Sequence, residues 1–165
     1  MPPLHHRHPS IIGAVFDSAV TADIIADLIH TEPTMLRLVE QMKREQMILI
    51  TDAMRAGCMH CGVYDLGGQA VTVSEDGRAS LESGVLAGST LKLNDAVRNF
   101  HTHTQSTLAE TIAMVTSLPA RVLGLPLGEL REGYRADIVL FDAKINIKQV
   151  YIGGKLKYND KNIKG

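Results

Sequence analysis

The stretch that decides the fold is residues 22–52, ADIIADLIHTEPTMLRLVEQMKREQMILITD. Its first part, 22–30, is short and rich in β-branched residues, which favour strands. Its last part, 47–51, is an almost continuous apolar run, as in a strand that is buried on both faces. Between them, apolar residues recur at i, i+3, i+4 and i+7 from Met35 on, which predicts a helix over 34–46. A strand, a helix and a strand at this spacing predict a βαβ unit with a parallel sheet.

The chain downstream of this unit changes from glycine-rich strands to helices. Residues 63–86 are rich in glycine, and an alternating apolar run leads into the Asp-Gly pair at 76–77, which predicts β-hairpins. A helix is predicted from about Asn94, where apolar residues again recur at helical spacing. A second helix is predicted to begin at Thr107, because Thr107 and Glu110 form a capping-box pattern.

The C-terminal part of the chain is predicted to return to β-structure. We expect Pro119 to follow the end of the second helix, because proline is common just past a helix terminus. Residues 136–141 form an apolar run, and 149–158 fold back at the Gly153-Gly154 pair, which is typical of a tight turn. The predicted order is therefore a βαβ unit, hairpins, two helices and a small β tail.

Composition and length exclude several classes of protein. The 165 residues carry 17 Lys and Arg against 18 Asp and Glu, and this balance lacks the basic excess of proteins that bind nucleic acids. The chain begins without an apolar signal segment, and no run approaches the roughly 18 apolar residues of a membrane span, so we expect a cytoplasmic protein. The length suits one domain, yet it falls short of the roughly 250 residues typical of a complete (β/α)₈ barrel.

Asp52 is the first candidate for a chemical role. It follows the buried strand 47–51 directly, and α/β enzymes place catalytic groups at the carboxyl ends of their strands. A carboxylate there can ligate a metal or act as a general base toward metal-bound water, whereas the alternative is a cap on the following turn. Asp27 and His30 end the preceding strand in the same way, and His30 either binds an anion, transfers protons or is structural.

Two further segments are candidates for ligand binding. Arg7 lies in the run His5-His6-Arg7-His8, and a guanidinium binds phosphate through two parallel hydrogen bonds. The alternative for Arg7 is a solvated N-terminal arm. Leu86-Ala-Gly-Ser-Thr90 leads toward the helix predicted near residue 94, and its small residues allow the backbone to approach a ligand closely.

Two motifs suggest a metal site but lack the pattern that a metal needs. Cys58-Met-His-Cys61 invites a zinc interpretation, yet a closed zinc site needs four ligands and the chain has no second cysteine pair. His101-Thr-His103 resembles the His-x-His pair of metallohydrolases, but it follows a predicted helix rather than a strand. We therefore interpret the two histidines as a polar helix end, where an imidazole lies near free carbonyl groups.

A set of motifs occurs along the chain in a specific order and spacing. They are Arg7-His-Pro, Ile25-Ala-Asp-Leu-Ile-His30, Ile50-Thr-Asp-Ala-Met-Arg55, Gly62-Val-Tyr-Asp-Leu-Gly-Gly-Gln69, Leu86-Ala-Gly-Ser89, Asp95-Ala-Val-Arg-Asn99, Pro119-Ala-Arg-Val-Leu-Gly124 and Gly133-Tyr-Arg-Ala-Asp-Ile-Val-Leu140. This pattern resembles the N-acetylglucosamine-6-phosphate deacetylase family of the amidohydrolase superfamily, over essentially the whole chain. The resemblance implies an α/β fold, namely the C-terminal part of a (β/α)₈ barrel and the C-terminal strands of a small β-sandwich. Residues 1–124 would form the partial barrel, with a β-hairpin insertion at about 63–86, and 125–165 the sandwich strands.

The implied activity is hydrolysis of the acetamide of N-acetylglucosamine 6-phosphate to glucosamine 6-phosphate and acetate. Asp52 resembles the family's catalytic aspartate, which activates a metal-bound water and then protonates the leaving amine. His30 resembles a substrate-binding histidine, and Arg7 resembles the arginine that reaches the sugar phosphate, usually across a dimer interface. The backbone segment that lies against the substrate matches Leu86, Ala87 and Gly88.

The chain departs from the family's pattern where the metal is bound. Complete members bind a divalent metal, zinc or iron, through His and Glu residues upstream of every motif present here, and Met1 aligns with a methionine inside their sequence. We therefore expect a chain without metal ligands that is inactive alone and pairs with a second copy or a separate N-terminal half. Strand 47–51 would expose an apolar edge, because a barrel closes by pairing its first and last strands. The alternative hypothesis is a non-catalytic, self-associating fragment that binds sugar phosphate.

Overall fold

A computed structural model of the chain describes residues 1–160 and begins with a helix followed by a βαβ unit. Its N-terminal elements are α1 (Ser10–Phe16), β1 (Ala22–Ile25), α2 (Pro33–Lys43), a 3₁₀ turn (Arg44–Gln46) and β2 (Met47–Ile50). β1 and β2 pair in parallel, with Ala22 opposite Met47 and Ile25 opposite Ile50. The predicted βαβ unit is therefore confirmed.

The first strand is shorter than the sequence predicts. β1 ends at Ile25 rather than His30, because the Asp27 carboxylate turns the chain. Its Oδ1 accepts hydrogen bonds from the backbone N–H groups of Ile29, at 2.9 Å, and of His30, at 2.7 Å. β2 likewise ends at Ile50, one residue before the predicted end.

The helix of the βαβ unit also ends earlier than predicted. α2 stops at Lys43 rather than Gln46, since Arg44 leaves helical geometry with a φ of 19°. The Lys43 ammonium is buried and donates to the backbone carbonyls of Val15, at 3.0 Å, and Ser18, at 2.7 Å. This buried cation holds the end of α2 against the end of α1, and its third acceptor is the Gln46 side-chain oxygen at 3.2 Å.

A three-stranded antiparallel sheet follows the βαβ unit. Its strands, in spatial order, are β3 (Gly62–Leu66), β4 (Gln69–Val73) and β5 (Ala79–Leu81). Gly67 and Gly68 connect β3 to β4 with φ values of 60° and 86°, a conformation that glycine adopts without steric cost. The Asp76-Gly77 pair lies in the turn between β4 and β5, so the predicted hairpin is confirmed.

The chain then becomes helical, with α3 (Leu93–His103), α4 (Leu108–Ala113) and α5 (Ser117–Val122). The capping box predicted at the start of α4 is confirmed, because the Thr107 hydroxyl accepts from the Glu110 N–H and the Glu110 carboxylate accepts from the Thr107 N–H. Pro119 lies inside α5 rather than after a helix end. Proline is tolerated there because the first turn of a helix leaves its N–H groups without intrahelical partners.

The main core is built around β2. Met47 and Leu49 are 0% and 2% exposed and pack in one cluster with Phe100 of α3 and Met114. The backbone N–H of Leu49 also donates to the Met114 carbonyl at 3.2 Å. In the described residues β2 has β1 as its one strand neighbour, so its other edge lacks a strand partner, as expected. Its side chains are nevertheless buried, because the helices that follow the sheet β3–β5 cover them.

The tail is a second antiparallel sheet, with β6 (Ile138–Phe141), β7 (Ile147–Ile152) and β8 (Lys155–Asn159). The predicted turn at Gly153-Gly154 connects β7 to β8. Arg98 of α3 reaches this sheet, since its guanidinium donates to the carbonyls of Lys144, at 2.9 Å, and Ile145, at 3.1 Å. These hydrogen bonds join the helical part of the chain to the tail.

The described chain is thus mixed α/β, with a parallel strand pair, two antiparallel sheets and connecting helices. Residues 161–165, which end the predicted sandwich region, lie outside the described residues. Within residues 1–160, no helix has the length and apolar character needed to cross a lipid bilayer.

Candidate functional site

Asp52 lies two residues beyond the carboxyl end of β2. Its side chain is exposed, and its φ of 48° places it in the left-handed region. Aspartate and asparagine enter this region more readily than other residues with a Cβ atom. Because Ile25 and Ile50 are paired in parallel, Asp27 leaves the sheet at the same edge as Asp52. The structure therefore brings the ends of both strands, and the polar residues that follow them, to one edge of the sheet.

The segment 86–89 lies directly against Asp52. The backbone N–H of Ser89 donates to the Asp52 carbonyl at 2.8 Å, and the Ser89 carbonyl accepts from the Met54 N–H at 2.9 Å. The buried Ser89 hydroxyl also donates to the Thr51 carbonyl. Residues that are 37 positions apart in sequence are thus joined by hydrogen bonds on both sides of Asp52.

Gly88 allows this close approach of the two segments. Its φ is 67°, and a Cβ atom at this position would lie 3.2 Å from the Met54 Cβ and 3.3 Å from the Asp52 carbonyl oxygen. The neighbouring Ala87 is buried, and its N–H donates to the Ala79 carbonyl of β5 at 3.0 Å. Leu86 forms an antiparallel bridge with Ser80. The sheet β3–β5 therefore holds residues 86–88 in place beside Asp52.

His30 is paired with a buried carboxylate at the end of β1. Its Nδ1 lies 2.7 Å from Asp27 Oδ2, and the two side chains are 20% and 8% exposed. An ionised carboxylate only accepts hydrogen bonds, so the Nδ1–H donates. The end of β1 is also held by α3, because the Asn99 amide donates to the Ala26 carbonyl at 2.9 Å.

Arg7 lies apart from these residues in an exposed N-terminal loop. The loop is closed by a hydrogen bond from the His8 N–H to the His5 carbonyl at 3.0 Å. The Arg7 Nε–H donates to His6 Nε2 at 3.1 Å. Among the hydrogen bonds of residues 1–160, none joins Arg7 to Asp52 or to His30.

Some residues that hold the site were missed by sequence reasoning. Ser89 lies in the motif Leu86-Ala-Gly-Ser89, but nothing in the sequence indicates that its hydroxyl donates to the carbonyl of the residue before Asp52. Asn99 lies in a helix that was predicted from its apolar spacing, and this spacing indicates which residues are buried but not that the Asn99 amide donates to Ala26. The turn that Asp27 forms can be predicted from the sequence, because an aspartate just past a strand commonly accepts hydrogen bonds from the backbone N–H groups of the following residues.

Among the hydrogen bonds of residues 1–160, neither of the two motifs that suggested metal binding is joined to the side chain of Asp52 or of His30. Cys58 and Cys61 are free and exposed, with Cys58 at a φ of 68°. His101 and His103 lie in the last turn of α3, as predicted for a polar helix end, and the His101 Nδ1–H donates to the Ser106 carbonyl at 3.0 Å. In the described part of the chain, no three His, Cys, Asp or Glu residues are placed to hold a metal ion together.

The arrangement can bind a polar ligand and move a proton. An exposed carboxylate at Asp52 accepts or donates a proton, a carboxylate-bound imidazole stands at the neighbouring strand end, and the backbone of residues 86–88 adjoins Asp52. These features define an α/β protein with polar residues at the carboxyl ends of two parallel strands, where α/β enzymes carry their catalytic groups. The model of the amidohydrolase family matches residues 4–157, and the chain belongs to this family.

Relatives of known name are similar along nearly the whole chain. An N-acetylglucosamine-6-phosphate deacetylase of Lysinibacillus sphaericus is 41% identical over 165 residues, which are 98% of this chain and 42% of that protein. A protein of Escherichia coli K12, whose name proposes it as an N-acetylgalactosamine-6-phosphate deacetylase, is 41% identical over 93% of both chains. The crystal structure of N-acetylglucosamine-6-phosphate deacetylase from Thermotoga maritima superposes with a TM-score of 0.90 at 34% identity, over 96% of this chain and 44% of that one. The chain thus spans about two-fifths of the Lysinibacillus and Thermotoga proteins.

Proposed function

We propose that this chain supplies the acid–base and substrate-binding part of an N-acetylglucosamine-6-phosphate deacetylase. The reaction adds water across the acetamide bond and yields glucosamine 6-phosphate and acetate. The observation that carries the proposal is the position of Asp52. It is exposed at the carboxyl end of a buried parallel strand, and Ser89 forms hydrogen bonds with the backbone on both sides of it. The names of the relatives supply the reaction and its substrate class.

In this proposal Asp52 is the general acid and base. Its carboxylate takes a proton from the water that attacks the acetamide carbon, and it returns that proton to the amine as the C–N bond breaks. One group can serve in both steps because the first leaves it protonated. The left-handed backbone at Asp52 is consistent with a functional role, because such strained residues concentrate at active sites.

The other predicted site residues are proposed to hold the substrate. His30 binds the sugar through the ring nitrogen that faces away from Asp27, and the backbone of Leu86, Ala87 and Gly88 lies against the substrate beside Asp52. Arg7 binds the phosphate in a second copy of the chain, which its exposed loop and unused guanidinium N–H groups support.

The fold supports the proposed architecture of a partial barrel with a sandwich tail. The parallel β1–α2–β2 unit has the connection expected between adjacent strands of a (β/α)₈ barrel. We propose that residues 1–124 belong to such a barrel, with the sheet β3–β5 as an insertion. Residues 125–165 would then supply sandwich strands, and the antiparallel sheet β6–β8 supports this assignment.

The divalent metal of the complete family enzymes, zinc or iron, is not accommodated by the residues described here. A metal site needs at least three convergent protein ligands, and within residues 1–160 no such group exists. We therefore assign no step of the reaction on this chain to a metal. The proposal instead requires a partner, either a second copy or a separate N-terminal portion, and a cytoplasmic location remains a prediction of the sequence.

The proposal is tested by measuring acetate release from N-acetylglucosamine 6-phosphate. The chain is mixed with the complementary N-terminal portion of the Lysinibacillus sphaericus relative, and complex formation is checked by size-exclusion chromatography. We expect acetate release by the complex, and we expect Asp52→Asn to lower its rate about 10²–10⁴-fold, the usual contribution of general acid–base catalysis. Asparagine suits the left-handed backbone at this position, so the variant keeps its fold.

Asp23→Asn is the matched control, because Asp23 is exposed on β1 and lies before the carboxyl end of the strand. This variant should release acetate at the unmodified rate. A complex that forms and releases no acetate would contradict the proposed activity. Equal rates for Asp52→Asn and the unmodified chain would contradict the role of Asp52.

A second candidate function is binding of the phosphosugar without turnover. The side chains of His30 and Arg7 support it, because an imidazole and an exposed guanidinium can bind a phosphosugar without proton transfer at Asp52. This function predicts that the chain binds N-acetylglucosamine 6-phosphate in solution and that acetate is released by none of the mixtures. Titration calorimetry beside the acetate assay separates the two candidates.

A further inference from the structure

Asp27 uses its two carboxylate oxygens for two different purposes. Oδ1 accepts from the backbone N–H groups of Ile29 and His30 and shapes the turn after β1. Oδ2 accepts from the Nδ1–H of His30 at 2.7 Å. The carboxylate side chain is only 8% exposed, so these hydrogen bonds are largely protected from competing water.

We infer that Asp27 is a positioning residue that fixes both the orientation and the tautomer of His30. Because Oδ2 can only accept, the neutral imidazole must carry its proton on Nδ1, and Nε2 is left with a lone pair. Within residues 1–160, Nδ1 is the ring nitrogen that has a protein partner. His30 therefore presents Nε2, and not Nδ1, to a ligand, and in the neutral ring Nε2 is a hydrogen-bond acceptor.

This role names the atom of His30 that faces the phosphosugar, and in that respect it rests on the proposed function. A neutral ring accepts a hydrogen bond at Nε2 from a hydroxyl or an amide N–H, whereas a protonated ring donates from Nε2 to an anion such as a phosphate. In either form Nδ1 is held by Asp27. The inference therefore assigns Nε2 as the atom of His30 that contacts the phosphosugar.

The substitution Asp27→Asn separates positioning from the structural role of Asp27. The side-chain oxygen of asparagine must stay where Oδ1 is, because it accepts two backbone hydrogen bonds there. The amide NH₂ then occupies the position of Oδ2 and donates to Nδ1, which forces the ring proton onto Nε2. The backbone turn is kept while the tautomer of His30 is inverted.

The experiment is a long-range ¹H–¹⁵N correlation spectrum of the histidine side chains in the full chain. It is recorded at about pH 9, well above the ordinary histidine pKa of about 6.5. The chain has seven histidines, and a His30→Gln variant identifies the signals of His30 by their loss. We expect a protonated Nδ1 and an unprotonated Nε2 in the unmodified chain, and the reverse in Asp27→Asn.

Asp23→Asn is again the control, and it should leave the His30 signals unchanged. Backbone amide spectra show whether the turn at Ile29 and His30 persists in Asp27→Asn. An intact turn with the same tautomer in both chains would overturn the inference. An Nε2–H tautomer in the unmodified chain would overturn it as well.

A binding measurement then tests the consequence for the ligand. Titration with N-acetylglucosamine 6-phosphate should give an affinity roughly tenfold lower for Asp27→Asn, the lower range for groups that orient a functional imidazole. An inverted tautomer with unchanged affinity would overturn the assignment of Nε2 as the atom that contacts the phosphosugar. Failure of the unmodified chain to bind the phosphosugar would contradict the proposed function, while the tautomer spectrum would still decide the role of Asp27.

Discussion

The Asp52 region and the Arg7 loop show two different ways of placing a candidate site residue. Asp52 follows a buried strand, and Ser89, 37 residues further along, bonds to the backbone on both sides of it. Arg7 lies in an exposed loop in which the hydrogen bonds join residues at most three positions apart. The first region is built by long-range contacts, whereas the second is built only by its own neighbours.

The difference shows which part of the proposed site is formed within one chain. The Asp52 region is fixed by the fold of this chain, because a scaffold on rigid elements holds a side chain more precisely than a loop does. The Arg7 loop has no such support in the described residues, so its guanidinium is available to a ligand held by another copy. Substitutions in the Asp52 region should therefore affect stability, and substitutions at Arg7 should affect binding.

The largest effect is expected from Gly88→Ala. An alanine at this position adopts a left-handed backbone, which costs about 1–2 kcal/mol, and it also crowds the Met54 Cβ at 3.2 Å and the Asp52 carbonyl at 3.3 Å. We expect the free energy of unfolding, measured by urea denaturation, to fall by about 2–3 kcal/mol. Gly84→Ala is the matched control, since Gly84 has a φ of 80° and a Cβ atom there would meet no other atom within 4 Å. Equal losses in the two variants would contradict the close approach at Asp52.

Ser89→Ala should have the next largest effect. The Ser89 hydroxyl donates to the Thr51 carbonyl and accepts from the Leu91 N–H at 3.1 Å. Its removal leaves a partly buried carbonyl and N–H without these partners, so we expect a loss of about 1–2 kcal/mol in the free energy of unfolding. Ser83→Ala, at an exposed loop position, should change it by less than about 0.5 kcal/mol. A Ser89→Ala chain as stable as the control would show that the hydrogen bonds of the Ser89 hydroxyl contribute little to holding the backbone beside Asp52.

The tail contains a carboxylate, Asp142, in the loop between β6 and β7, and its contacts join it to that loop and to Lys148 of β7. Hydrogen bonds from the backbone and side-chain N–H groups of Asn146 lower the pKa of Asp142 from 3.8 to about 2. The ionised form thus stabilises the folded tail, fully above the ordinary pKa of 3.8, and this contribution is lost as the pH falls toward about 2.

This pH dependence is measured from the urea midpoint of the tail's amide signals between about pH 5 and pH 2. Asp142→Asn should remove the part of the decrease that lies between about pH 4 and pH 2, because the variant has no carboxyl group to protonate. Identical pH profiles for the variant and the unmodified chain would contradict a lowered pKa at Asp142.

Arg7→Ala should have the smallest effect on stability and a clear effect on binding. Its exposed loop predicts a change below about 0.5 kcal/mol in the free energy of unfolding. Loss of charged hydrogen bonds to a phosphate should lower the affinity for N-acetylglucosamine 6-phosphate roughly tenfold, measured by calorimetry. Arg78→Ala, at another exposed arginine, should bind as the unmodified chain does. A destabilised Arg7→Ala chain would show that the loop has structural contacts after all.

The sequence predicts the parts of the fold that depend on local chemistry. The parallel β1–α2–β2 unit, the Thr107 capping box and the glycine turn at 153–154 all follow from spacing and residue type. The strand end at Ile25 does not, because the hydrogen bonds that the Asp27 side chain accepts decide it. The apolar pattern shows that a segment is buried but not which partner buries it.

In the candidate site, too, the features that depend on local chemistry can be predicted from the sequence, and those that depend on distant contacts cannot. Asp52 is predictable because polar residues at the carboxyl ends of buried parallel strands share one edge of the sheet. Its contact with Ser89 is not, since it joins two loops that are far apart in sequence and whose approach depends on the packing of the whole chain. Under the proposed function Arg7 would bind a phosphate held by a second chain, and one sequence alone contains no geometry for such a contact.

The central claim is that the edge of the sheet formed by Asp52, His30 and residues 86–89 binds the phosphosugar. Its most direct test is a backbone amide NMR titration of the 165-residue chain with N-acetylglucosamine 6-phosphate. We predict that the signals of residues 52–54, 86–89 and His30 shift together and saturate with one affinity, whereas glucose gives no such shifts. Shifts confined to other parts of the chain, or no saturable shifts at all, would contradict the account.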